Sequence, residues 1–242
     1  MHRFFVNIQQ FKGDFCEISG SDAGHISRVL RLEPFDRVVV CDGFGSEYLG
    51  EIRQIGETVR VALLEKLESN AEPSCRVTLY QGLPKQDKMD FIVQKCVELG
   101  IFAVQPVETR RCVVKGANTK KWERWNKIAR EAAKQSGRGI VPEVLPLLPF
   151  DRALDGMGEH ELLVVCYENE TQRGLLHLLQ GQRDIGLVIG PEGGLERSEV
   201  EALCGIGGQT ITLGRRILRT ETAGMAVLSG LMFHMGEMGG VL

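Results

Sequence analysis

The sequence has no apolar run approaching the roughly 20 residues of a membrane-spanning helix, which sets aside a transmembrane class. Its first residues, MHRFFVNIQQF, are too few and too polar for a signal peptide. No CxxC pair occurs, and the seven cysteines stand singly at 16, 41, 75, 96, 112, 166 and 204. An odd, scattered set argues against a disulfide framework or a zinc site, so no metal is expected. The expectation instead is buried thiols in a reducing cytoplasm. Neither GxGxxG nor GxxxxGK[ST] is present, leaving a dinucleotide fingerprint and a Walker phosphate loop without support. There is no internal repeat and no low-complexity segment.

What is present is an ordinary globular mixture, 43% apolar and 25% charged over 242 residues, enough for one large domain or two smaller ones. The net charge of −3 conceals an asymmetry. Residues 108–138 hold 10 basic and 3 acidic side chains, hence +7, whereas residues 139–214 hold 4 and 12, hence −8. A basic segment inside an acidic protein suits a polyanion, or a solvated face balanced by nearby acids.

Residues 1–70 read as short strands with tight turns: RFFVNI, DFCEI, DRVVVCD, EYLGEIRQI and TVRVALLEKL, with one helix in SDAGHISRVLRL. This is the pattern of a small barrel or sandwich. SNAEPS, 69–74, is polar, holds a proline and marks the expected domain boundary. Beyond it strands at 76–83, 102–108, 161–168, 184–190 and 209–214 alternate with helices at 85–100, 119–137, 173–179, 196–204 and 222–238. Alternation of this kind predicts a mainly parallel α/β sheet.

Ligands of open α/β sheets collect at the carboxyl ends of strands. Three such ends stand out: LYQGLPK (79–85), VIGPEGGL (188–195) and TLGRRILRTETAG (212–224). GPEGG is either a tight strand–helix turn or a place where backbone approaches a ligand. Glu192 inside it would repel a phosphate and suits a cation or hydrogen-bond donors. Arg215, Arg216 and Arg219 need anionic partners or a surface. The helix after them is small or apolar almost all round, which predicts burial in a core or in a subunit interface.

Taken in order, these stretches resemble the motifs of SPOUT-class methyltransferases. The best match is the bacterial 16S ribosomal RNA uracil-N3 methyltransferase family (RsmE type) of the small subunit. The matching stretches are MHRFFV, HISRVLRL with VVVCDGFG, LPKQDKMDFIVQKCVELG, RWNKIAREAAKQSGR with VPEV, VIGPEGGLERSEV, and LGRRILRTETAGMAVL. They cover nearly the whole chain, and their ordered set is highly specific. One departure is Cys112, in RRCVVK, where that family has serine.

The resemblance implies an N-terminal PUA-like β-barrel (1–70) that binds RNA and a C-terminal SPOUT α/β domain (74–242) with a trefoil knot. It also implies a cytoplasmic homodimer that uses S-adenosyl-L-methionine and acts on 16S ribosomal RNA of the small ribosomal subunit. Leu83, Pro84, Ile189, Gly190, Pro191, Glu192, Gly193, Gly194, Leu213, Gly214, Ile217, Leu218, Thr222 and Ala223 would hold that cofactor. Glu192 would then face the sulfonium or the ribose hydroxyls. Arg219 would stabilise the charge that spreads onto the uracil oxygens, and Glu221, or a water it holds, would accept the N3 proton. Arg3, His25, Arg28, Arg31, Arg110, Arg111, Lys115, Arg130 and Arg138 would bind RNA. Trp122 and Trp125 can stack bases, but their i, i+3 spacing on a helix favours packing. The rival readings are a SPOUT ribose 2′-O methyltransferase or another base methylator, a non-catalytic ribosome assembly protein that binds RNA, and an α/β enzyme acting on a small molecule.

Overall fold

The computed structural model describes residues 1–68, 71–116 and 118–238. Ser69 and Asn70 of the expected boundary lie outside the described residues, as do the last four residues of the expected second domain. The chain forms two compact units, Met1–Glu72 with Ala133–Val141, and Pro73–Ala132 with the remainder from Pro142.

The first unit is a six-stranded sheet built from β1 (Arg3–Phe5), β2 (Phe11–Lys12), β3 (Phe15–Ile18), β4 (Arg37–Cys41), β5 (Glu47–Ile55) and β6 (Val59–Leu67), in the order β1-β4-β5-β6-β3-β2. All pairs are antiparallel except β1 with β4. Alternation in β3 buries Cys16 and Ile18 on one face, where they meet Val38, Val40, Ile52, Val59 and Val61. Each such aliphatic side chain contributes about 1.5–3 kcal/mol by leaving water. The expected helix after β3 forms as α1 (Gly20–Gly24), which widens into a π-helical turn over His25–Leu30.

Residues 133–141, which the sequence pattern places in the second domain, group with the first unit. The cause is specific bonding. Arg138 Nη2 lies 2.6 Å from Glu72 Oε2, and Glu72 Oε1 also accepts the Gly139 and Ile140 N–H groups at 3.1 Å. Ile140 bridges to Gly43 and Phe44.

The second unit carries β7 (Arg76–Gly82), α2 (Lys88–Glu98), β8 (Ala103–Glu108), α3 (Thr119–Ser136, whose last turn belongs to the first unit), β9 (Glu143–Val144), β10 (Leu148–Pro149), α4 (Phe150–Met157), β11 (Leu162–Cys166), β12 (Asp184–Ile189), α5 (Arg197–Gly205), β13 (Gln209–Ile211) and α6 (Thr220–His234). Its sheet runs β10-β8-β7-β12-β11-β13, with β9 also on β8, and every pair is parallel. Parallel strands covered on both faces are apolar throughout, and β7 and β12 are buried along nearly their whole length. Helix α2 buries Met89, Ile92, Val93, Cys96 and Val97, the stripe its periodicity predicts. In α3, Trp125 is buried and the Trp122 indole N–H donates to the Val144 carbonyl at 2.7 Å, so both tryptophans pack.

Helix α6 turns Ala223, Gly224, Val227, Leu228, Leu231 and Met232 inward. Its opposite side leaves Ala226 exposed and Phe233 73% exposed, so within one chain this helix is half covered, not buried all round. The helix expected at 173–179 shrinks to one 3-10 turn, Leu175–His177. Strands β9 and β10 and helix α4 were not read from the sequence.

Candidate active site

A cavity of about 490 Å³ opens at the carboxyl ends of the second unit's parallel strands. Three chain segments wall it: Cys166–Glu168 after β11, Ile189–Leu195 after β12, and Ile211–Gly214 with Arg216–Thr220 between β13 and α6. Lys88 and Ala223 complete the lining. Thus Ile189, Gly190, Pro191, Glu192, Gly193, Gly194, Leu213, Gly214, Ile217, Leu218 and Ala223 meet at one place, as expected for a shared ligand. Arg219 joins them. Leu83, Pro84, Thr222 and Glu221 are not part of the lining. Leu83 is buried behind it, with its N–H on the Val107 carbonyl at 2.9 Å, Pro84 is also buried, and Thr222 faces outward on α6.

The glycines are required by close approach. A Cβ on Gly190 would sit 2.9 Å from the Gly194 carbonyl carbon, and one on Gly82 would sit 2.6 Å from the Pro191 ring. Gly194 has φ +69° and its missing Cβ would fall 2.6 Å from Glu168 Oε1. The loop therefore folds back on itself and leaves main chain along the cavity wall.

Below the cavity the wall segments are pinned together. The Thr220 hydroxyl donates to the Gly190 carbonyl at 2.7 Å and accepts from Gln81 Nε2 at 2.9 Å. This joins β7, β12 and α6 at one buried point. Beside it runs a charged chain. Lys88 Nζ lies 2.9 Å from Glu192 Oε1 and forms an ion pair at 3.3 Å with Glu221 Oε2, a buried oxygen that has no hydrogen-bond partner among the described residues. The Lys85 N–H also donates to Glu192, at 3.1 Å. Burial pushes the Glu192 carboxyl up, but Lys88 and the backbone N–H groups outweigh it and hold the group below the usual carboxylate range. The bond to Glu192 leads in raising Lys88 above its ordinary value. Glu192 thus already has a cationic partner from the protein itself.

Sequence reasoning missed Cys166, Tyr167 and Glu168, because the strand was read through to 168 while β11 stops at Cys166. Burial pushes the Cys166 thiol up to about 12, so it is no thiolate nucleophile near neutral pH. Among the described residues Glu168 makes no ion pair or side-chain hydrogen bond, which leaves its carboxylate available to the cavity.

The basic loop after β8 touches the same region. Arg111 Nη1 donates to the Gly193 carbonyl at 2.9 Å. The Arg110 N–H donates to the buried Glu199 at 2.8 Å, and its side chain reaches Glu196 at 3.4 Å. Lys115 lies 3.5 Å from Glu108. Cys112, the departure noted above, receives the Thr109 N–H at 3.3 Å and lies 3.2 Å from the Thr109 hydroxyl, so its thiol takes part in closing this turn. Of the other residues expected to bind RNA, His25, Arg28 and Arg31 are exposed in the first unit and Arg130 is half-buried. Arg138, also expected to bind RNA, is 4% exposed and its guanidinium lies in a fork on Glu72. Arg3 is committed in a similar way, 2.6 Å from the buried Glu47.

Comparison with known proteins converges with this geometry. Residues 71–232 match the model of an RNA methyltransferase domain, and residues 18–61 that of an RNA methyltransferase PUA domain. Ribosomal RNA small subunit methyltransferase E of Bacillus subtilis is 36% identical, with 97% of each chain covered. The protein of the same name from Synechocystis is 33% identical over 94% of this chain and 76% of its own. A crystal structure of ribosomal RNA small subunit methyltransferase E from Neisseria gonorrhoeae bound to S-adenosyl methionine superposes with a TM-score of 0.88 at 32% identity, covering 97% of this chain and 98% of that one. Sequence, fold and cavity together show that the chain belongs to the ribosomal RNA small subunit methyltransferase E family.

Proposed function

We propose that the protein transfers a methyl group from S-adenosyl-L-methionine to N3 of a uridine in 16S ribosomal RNA of the small subunit. The observation that carries this reading is the cavity at the strand ends, walled by three loops whose glycines expose main chain and bordered by the Arg110–Arg111 turn. The fit to the cofactor rests on the cradle itself. Side chains at Gly190 and Gly194 would strike the loop and Glu168, backbone N–H and C=O groups suit an adenine edge, and Glu168 offers a carboxylate to hydroxyls or a cation.

The cofactor supplies an electrophilic methyl carbon, whose bond to sulfur breaks as the N3 lone pair bonds to it, leaving a neutral thioether. The chain's own task is to prepare N3. Arg219, exposed at the cavity and immediately before α6, stabilises negative charge on the uracil oxygens. Glu221, in the first turn of α6 and outside the lining, accepts the N3 proton through a water. Basic side chains of the loop after β8 and the exposed His25, Arg28 and Arg31 hold RNA by its phosphates.

The same reading makes the second unit a SPOUT domain whose trefoil knot would lie in the three wall segments, and the first a PUA-like barrel. The apolar side of α6 left open at Ala226 and Phe233 favours a homodimer. No described helix is long and apolar enough to cross a membrane; action on ribosomal RNA would place the protein in the cytoplasm.

The test follows labelled methyl transfer into unmodified small subunits alongside calorimetric cofactor binding. Arg219→Ala should lower turnover at least tenfold while cofactor affinity changes less than about threefold, the pattern of a group acting in the transition state. Parallel loss of both would make Arg219 structural.

A further inference from the structure

Lys88 has no catalytic role assigned above, yet its ammonium reaches both the loop after β12 and the first turn of α6. It stands on the first turn of α2, with its side chain 25% exposed, and lines the cavity. Its Nζ meets Glu192 at 2.9 Å and Glu221 at 3.3 Å. Both carboxylates are largely covered, at 26% and 18% side-chain exposure. Two carboxylates brought to one ammonium in a partly dry place repel each other unless the cation remains between them, and without it one of them takes up a proton. They sit on different elements. Glu192 is in the loop that walls the cavity, and Glu221 is in the first turn of α6, one residue after the Thr220 pin.

We propose that Lys88 is a positioning residue that locks Glu192 and Glu221 into a single ionised unit, and that this unit, not Glu221 alone, takes the N3 proton. The inference rests on the methyl-transfer reading above. The proton leaves N3 for a carboxylate of the unit, the N3 lone pair is freed for the new C–N bond, and the proton later passes to solvent. Lys88 favours the ionised form of Glu192 and ties both carboxylates to the first turn of α2 beside the cavity wall. The other groups around the unit are the Lys85 N–H on Glu192, Arg219 two residues before Glu221, Arg216 and Glu168 in the cavity lining, and Arg111 on the neighbouring Gly193 carbonyl. None of these bridges the two carboxylates.

Two measurements on the full-length protein test this. In the first, turnover against pH is compared for wild type, Lys88→Met and Lys88→Arg. The expected result is an acid limb displaced upward by about one pH unit or more in Lys88→Met, with Lys88→Arg restoring it, and cofactor Kd within about threefold for both. A profile merely scaled down, with an unmoved acid limb, overturns the proposal and leaves Lys88 a structural tie. In the second, the Glu carboxyl carbons are titrated by 13C NMR without substrate, using Glu192→Gln and Glu221→Gln to assign the signals. In Lys88→Met the Glu192 carboxyl should titrate at higher pH than in wild type. Superimposable titrations overturn the proposal even if the wild-type protein methylates some other position, so its failure is separable from failure of the functional reading.

Discussion

Thr220 offers the sharpest quantitative check on how the cavity is built. It is 7% exposed, and its hydroxyl joins the Gly190 carbonyl at 2.7 Å to Gln81 Nε2 at 2.9 Å. Thr220→Val keeps the shape and removes both bonds. A buried polar group stripped of its partner costs about 1–3 kcal/mol. Gln81 Nε2 retains the Gly82 carbonyl at 3.0 Å, which puts its loss at the low end, whereas Gly190 loses the hydroxyl that holds the loop. The sum is about 2–4 kcal/mol, which for a unit of this size lowers its unfolding midpoint by roughly 5–15 °C. Thr220→Ser keeps the hydroxyl, loses one methyl and should cost only about 1 kcal/mol. Calorimetric unfolding of the three proteins, with cofactor titration beside it, reads both effects. A Thr220→Val protein within about 0.5 kcal/mol of wild type would refute the reasoning, as would Thr220→Ser falling as far as Thr220→Val.

Three further outcomes follow from particular contacts. Gly194→Ala combines φ +69° with a Cβ 2.6 Å from Glu168 Oε1, so cofactor affinity should fall at least tenfold by calorimetry. Arg138→Ala strands Glu72 and should destabilise the first unit by about 3 kcal/mol in denaturant unfolding, with cofactor Kd unchanged. Glu170 accepts the Gln172, Arg173 and Thr171 N–H groups and the Thr210 hydroxyl, which hold its carboxyl down at about 2. Its folded pKa is below the unfolded one. The stability it adds is therefore complete above the unfolded value, near 4.5, and is lost as pH falls toward 2; Glu170→Gln should flatten that part of a stability-against-pH curve.

Much of the second unit was legible because buried parallel strands and amphipathic helices leave strong periodic signals. RVTLYQGL, DIGLVIG and the Met89–Val97 stripe each fall within a few residues of the observed elements. The region 139–160 was not legible. Its strands are two residues long, prolines at 142, 146 and 149 interrupt it, and α4 begins directly after Pro149. Joining of 133–141 to the first unit was hidden for another reason: it depends on Glu72 meeting Arg138, a pairing 66 residues apart that no local pattern announces. In the site, the glycine loops and the arginine loop were visible as interruptions of regular patterns. Glu168 was not, since an acidic residue at a strand end reads as ordinary solvent exposure until Gly194 is seen beside it. Lys88 was not legible either, because nothing in the periodic pattern of the 85–100 helix sets one lysine apart.

The most direct measurement of the central claim is nucleoside mass spectrometry of small-subunit RNA after incubation of unmodified subunits with the protein and S-adenosyl-L-methionine. The account predicts 3-methyluridine, dependent on the cofactor and strongly reduced by Arg219→Ala. A ribose-methylated nucleoside in its place, or no new nucleoside despite intact cofactor binding and RNA binding, would contradict it.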